Sequence, residues 1–151
     1  MANLKPLIPG AQAWPKFTRN KSEQYEARLV MAKVEESSSL FFKDMHGMLA
    51  PIVTAHGEGF ADYSQTGSLE NSIVSLRFTD HTGQPTEQYP LNPNGAPQGI
   101  AALTTVDGRF TIMMPHPERV FRTVQHSWAP HGWGEDAPWL RIWRNARRWV
   151  G

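Results

Sequence analysis

A chain of 151 residues has room for one domain with a sizeable core and too little for two. With 40% hydrophobic and 19% charged residues it is globular in composition, and no run nears the roughly 20 apolar residues of a membrane-spanning helix. The net charge is +1 and cysteine is absent, which excludes disulfides, thiolate metal sites and a cysteine nucleophile from this polypeptide.

No signal-like segment follows Met1, so the cytosol is the expected location, with no membrane partner. Leu4, Leu7 and Ile8, followed by Pro9-Gly10 and Trp14-Pro15, predict the tail of a short helix and a stop. Alternation over Tyr25–Val34 predicts a strand; Ser37–Ser39 interrupt it, and Leu40-Phe41-Phe42 predict a second strand. Pro51–Ala55 read as a buried strand that runs into a tight loop, His56-Gly57-Glu58-Gly59. A short helix is expected near Leu69. Ile73–Thr79 and Thr86–Tyr89 flank Asp80-His81-Thr82-Gly83, and Ile100–Val106 and Phe110–Met114 flank Asp107-Gly108, which predicts two hairpins. Between them, the prolines and glycines of LNPNGAPQG force a shaped loop of the kind that lines sites.

Beyond Pro115-His116-Pro117-Glu118 and a loop rich in Trp, Gly and His, the spacing of Trp139, Ile142, Trp143, Ala146, Trp149 and Val150 predicts a terminal docking helix. Asp136 is placed to cap it and Pro138 suits its first turn. Six of the fifteen basic residues fall after residue 110, all arginine, four of them within Arg141–Arg148. They lie largely between the apolar positions, so a solvated cationic face near the helix C-terminus is favoured over a nucleic-acid contact. The class is α/β or α+β.

His116 and Glu118 carry the sharpest chemical signal. In an extended segment, residues i and i+2 share a face, and Pro115 and Pro117 restrict the backbone around the pair. A carboxylate on one ring nitrogen leaves the other to take a proton from a nucleophile, which is half of a catalytic triad. The competing reading is a turn histidine beside a solvated glutamate. His56 and Glu58 repeat the spacing, which raises a second arrangement: two His-x-Glu pairs on one zinc or iron. Gly57 and Gly59 argue for backbone freedom instead, and no resident metal or other cofactor is expected in this chain.

The segments TIMMPHPERVFRTVQHSWAP, GEDAPWLRIWRNARRW, AHGEG, YPLNPNGAPQGIAALTTVDGR and FTRNKSEQYEARL together resemble the C-terminal end of large bacterial phosphoribosylformylglycinamidine synthases, over nearly all 151 residues. The resemblance implies residues 1–151 as part of a class I glutamine amidotransferase domain: the C-terminal half of a flavodoxin-like α/β fold with β-hairpin additions. It implies a cysteine that attacks the glutamine amide, with His116 as general base and acid and Glu118 as its orienter. The ammonia then serves an ATP- and magnesium-dependent C–N ligase site that converts formylglycinamide ribonucleotide to the amidine. Glutamine and the rest of the synthase, namely the upstream amidotransferase half and the synthetase domain, are the implied partners.

This sequence departs from that pattern in one respect: the family's cysteine sits on a strand-to-helix elbow that precedes the segment in hand. Met1–Ile8 match the end of the helix after that elbow. The chain by itself is therefore expected to be inactive toward glutamine, with a non-catalytic interaction module as the alternative. Asn20, Ser22 and Tyr25 fall where the family approaches bound glutamine, although a turn in which Asn and Ser bond their own backbone fits equally. His56 and Glu58 are expected to shape the glutamine pocket or the synthetase interface. A half-domain leaves apolar edges uncovered, so the isolated chain is expected to self-associate or melt at low temperature; a heat-stable monomer in sedimentation and calorimetry would contradict this.

Overall fold

Inward positions at Glu26, Arg28, Val30, Ala32 and Val34 make one strand the spine of the structure, a computed structural model that describes residues 4–151. The described strands are β1 (Lys16–Arg19), β2 (Glu26–Val34), β3 (Leu49–His56), β4 (Glu58–Asp62), β5 (Ile73–Phe78), β6 (Ile100–Thr104) and β7 (Thr111–Met113), followed by the helix α1 (Arg141–Val150). Five strands form one sheet in the order β3-β2-β5-β6-β7, and β1 and β4 form a separate pair. Every named pairing is antiparallel. Strand β2 meets β3 along its length but pairs with β5 only over Ala32–Val34, so the end that carries Glu26 and His56 is unpaired on the β5 side.

Leu76 and Phe78 of β5 face one buried cluster with Ile52, Val120, Trp139 and Ile142. Ile100 and Leu103 of β6 face a second, built on Trp14, Ala61 and Ile112. The sheet is thus covered on both sides, which is why β6 is buried throughout.

Several expected elements form and others do not. The Asp107-Gly108 hairpin joins β6 to β7. Gly108 has φ +70, and a Cβ there would run into the Ser38 carbonyl. The first hairpin does not form: Thr86–Tyr89 is no strand, and β5 is followed only by an isolated bridge from Thr79 to Pro85. Asp80 Oδ1 accepts from the Thr82 and Gln84 backbone N–H groups, which closes a local turn, and the bridge is bounded by Asp80 N–H on the Gln84 carbonyl and Thr86 N–H on the Phe78 carbonyl. Leu40-Phe41-Phe42 form a turn rather than a strand, with Phe42 buried in the first cluster and Leu40 N–H on the Gly108 carbonyl. Near Leu69 there is a single turn and no helix, because the Ser68 and Ser72 side chains take up local backbone and side-chain bonds. The N-terminal segment has a 3-10 turn at Lys5–Leu7, while residues 1–3 lie outside the described part.

At the C-terminus, Pro138–Leu140 make a 3-10 turn that leads directly into α1, so Asp136 lies too far upstream to cap the helix and instead pairs with Arg144. Only the first part of the predicted apolar stripe is buried: Trp139 fully and Ile142 largely, whereas Trp149 and Val150 are exposed. Asn145 is the unpredicted inward residue, and its amide donates to the Phe41 and Lys43 carbonyls. Trp139 Nε1 donates to the Pro51 carbonyl at 2.7 Å, which ties the helix entry to β3. Trp139→Phe keeps most of the apolar volume but leaves that carbonyl unpaired, and should lower unfolding free energy by about 1–3 kcal/mol in urea titration; an unchanged midpoint would mean the bond contributes nothing.

Candidate active site

The loop after β7 returns the chain to the free edge of β3. His116 N–H donates to the Val53 carbonyl at 2.7 Å and makes an isolated antiparallel bridge there. Pro117 then opens a 3-10 turn over Pro117–Arg119, closed by Arg119 N–H on the His116 carbonyl. This turn, rather than the extended segment expected from the sequence, brings Glu118 Oε1 to 2.7 Å from His116 Nδ1. The carboxylate fixes Nδ1 as the donor, so Nε2 is the nitrogen that can exchange a proton. The His116 side chain is 28% exposed, open enough to reach a reacting group.

His56 lies at the end of β3 on its inward face, directly opposite Glu26 in the β2–β3 register. Its ring is 6.1 Å from that of His116, centroid to centroid, at 40°. Its Nε2 bonds Asn94 Oδ1 at 2.7 Å. Glu58 is not part of this group: Gly57 turns the chain between β3 and β4, and Glu58 is exposed opposite Arg19. The loop expected at His56–Gly59 is thus a corner between two sheets. Among the described residues, no three His, Asp or Glu side chains are grouped to hold a metal ion.

Asn20 is fully buried and its side chain is spent on backbone. Nδ2 donates to the His56 and Gln24 carbonyls, and Oδ1 accepts from Gly59 N–H. It holds the β3–β4 corner in place and has no donor left for a substrate. Tyr25 is exposed, with its hydroxyl donating to the Ala55 carbonyl. Ser22 lines an open cavity of about 360 Å³ together with Lys21, Gln24, Glu87, Tyr89 and Asn92. A smaller, more apolar cavity against Lys5, Ile8 and Trp14 contains none of the predicted site residues.

Over residues 1–150 the sequence matches the family described as the CobB/CobQ-like glutamine amidotransferase domain. The chain belongs to that family. A chain in the structure of PurLQS from Thermotoga maritima superimposes with a TM-score of 0.67 at 21% identity, over 98% of this chain. This amidotransferase chain spans 58% of that one. The match establishes the α/β amidotransferase fold expected from the sequence, to which the described residues contribute antiparallel pairs and one α-helix.

Two residues near the amidotransferase histidines were missed by sequence reading. Asn94 lies in the loop flagged for its prolines and glycines, and nothing in the local pattern marks it as buried. Glu26 was legible in principle, since it is in phase with the apolar positions of β2. It is nearly fully buried and pairs with Arg28 at 2.6 Å, while its Oε1 has no partner.

Burial pushes the His56 imidazole below its ordinary value near 6.5; the Asn94 bond opposes this and the nearby His116 adds to it. An unfolded chain therefore binds more protons than the folded one between that lowered value and about 6.5. The contribution of His56 to stability should be intact above about pH 6.5 and fall as pH drops through this window. The aspartates held low, Asp62, Asp80 and Asp107, act in a more acidic range. His56→Phe should flatten the fall in urea midpoint between pH 7.5 and 5; an identical slope in the variant would assign it to other groups.

Proposed function

We propose that this chain supplies the histidine and orienting carboxylate of the glutaminase site of a phosphoribosylformylglycinamidine synthase. The observation that carries the proposal is the 2.7 Å bond from His116 Nδ1 to Glu118 Oε1 in a member of the glutamine amidotransferase family, with Nε2 left to move a proton. The choice of this synthase within the family rests on the five sequence segments named above.

In the proposed reaction, His116 Nε2 takes the proton of a cysteine thiol and the thiolate attacks the glutamine side-chain amide. The same nitrogen returns the proton to the departing ammonia, which leaves a glutamyl thioester that water then hydrolyses. Glu118 holds the tautomer and stabilises the imidazolium at the intervening stage. The cysteine comes from a part of the synthase not contained in this sequence, which has none. The ATP- and magnesium-dependent ligation that consumes the ammonia belongs to the synthetase portion, and no residue here is assigned to it.

Lys21 and Glu87 beside Ser22 give the cavity of about 360 Å³ one charge of each sign. That suits the zwitterionic end of an amino acid such as glutamine. Asn20 and Tyr25, both bonded to backbone carbonyls, serve as supports for this region. His56 and Glu58 frame the corner beside it.

The absence of cysteine also fits a second reading, a non-catalytic interaction module. Supplying the cysteine-bearing remainder of the synthase as a separate chain separates the two. Restored glutamine hydrolysis, reduced by about 10²–10⁴-fold on His116→Ala and by less on Glu118→Gln, is the expected result. If the two chains bind without activity, or if His116→Ala restores it equally, the interaction module is the better reading.

A further inference from the structure

The hydrogen bond at Nδ1 holds the His116 ring only as firmly as its partner is held. The partner in that bond, Glu118, is itself 54% exposed. The backbone bond to Val53 fixes the main chain but not the side-chain torsions, which can move together with that carboxylate. Something else must hold the ring plane if Nε2 is to stay aimed through a proton transfer in both directions.

His56 is built to do so. Its ring lies within the separation typical of aromatic pairs, 6.1 Å from that of His116. It is anchored on the far side by Asn94, which is fully buried. Asn94 in turn sits in a loop held by Asn92, whose amide donates to the Thr86 and Ala96 carbonyls at 3.0 and 2.9 Å. Gly59 keeps the space open: a Cβ there would lie 2.6 Å from Asn94 Cγ and collide with His56 Nε2 as well. The backbone carbonyl of His56 is pinned separately by Asn20. Three segments, the loop of Asn92 and Asn94, Gly59 and Asn20, thus converge to immobilise a residue that makes no bond to the His116–Glu118 pair.

The chemistry of the anchor matters too. Asn94 Oδ1 only accepts, so His56 Nε2 carries the proton and the neutral ring keeps a bare Nδ1. Burial favours that neutral form. A neutral wall can stand beside an imidazolium at His116 without like-charge repulsion, whereas a lysine or arginine there could not.

We propose that His56, anchored by Asn94, is a positioning residue that packs against the His116 ring and keeps its Nδ1 on Glu118. This rests on His116 being the proton carrier, and the test separates the two ideas. The proton between His116 Nδ1 and Glu118 should give a far-downfield ¹H NMR signal in the full chain, assigned by its loss in Glu118→Gln. His56→Phe, which keeps an aromatic wall, should retain the signal, and His56→Ala should broaden or lose it while the amide spectrum stays dispersed. Should His56→Ala unfold the chain, Asn94→Ala takes its place: it frees the His56 ring without deleting it, and the same loss is expected. Undiminished signal in the folded alanine variant overturns the positioning role alone. Absence of the signal from the unsubstituted chain removes the His116–Glu118 pair and this inference with it.

Discussion

The site depends on one backbone contact, the bond from His116 N–H to the Val53 carbonyl. Strand β3 lies at the edge of the sheet, and such an edge offers unpaired carbonyls to whatever segment can reach it. The chain after β7 takes up one of them and then leaves the edge, because Pro117, with its fixed φ, opens a 3-10 turn directly after the pairing residue. The result is a single bridge with a turn attached. That turn delivers Glu118 to the ring, and the bridge places His116 beside a histidine sixty residues earlier in the sequence.

Strand β3 is itself held from behind. Trp139 donates to the Pro51 carbonyl two residues from the bridge, and Asn145 of α1 binds the carbonyls of the turn at Phe41 and Lys43. The terminal helix therefore acts less as an amphipathic lid than as a polar tie to backbone that would otherwise be unpaired. This accounts for its exposed Trp149 and Val150: the helix is fixed at its first turns, and its last turn has little core to cover. Core packing, helix entry and site geometry meet on the same eight-residue strand.

What the sequence revealed followed from periodicity and from short turn signals. Strand β2, strand β3, the Asp107-Gly108 hairpin and the terminal helix all have patterns stronger than their surroundings. Strands β1 and β4 did not, because each is short and β4 follows a glycine that reads as a turn. The pairing of β4 with β1 rather than β3 is a tertiary fact, set where Asn20 grips both sides of Gly57. Apolar runs misled at Leu40–Phe42, where Phe42 is buried from a turn. At the site, proximity in sequence made His116 and Glu118 visible. Asn94 was not, because its partner lies 38 residues away and the burial of an amide in a loop leaves no local trace.

The two His-x-Glu segments show how little spacing decides by itself. In the second, the intervening residue is proline, the backbone enters a 3-10 turn, and carboxylate meets imidazole. In the first, it is glycine, the chain turns a corner between two sheets, and Glu58 is carried out to solvent while His56 turns inward to an asparagine. A carboxylate partner would favour the protonated ring; the amide of Asn94 carries no charge to do so, and burial, which outweighs the opposing pull of that bond, favours the neutral ring. The same three-residue pattern thus yields one histidine held by a carboxylate and one held by an amide. Their adjacency sets a ring whose neutral form burial favours beside the proposed proton carrier, so that a charge on the second would meet no like charge on the first.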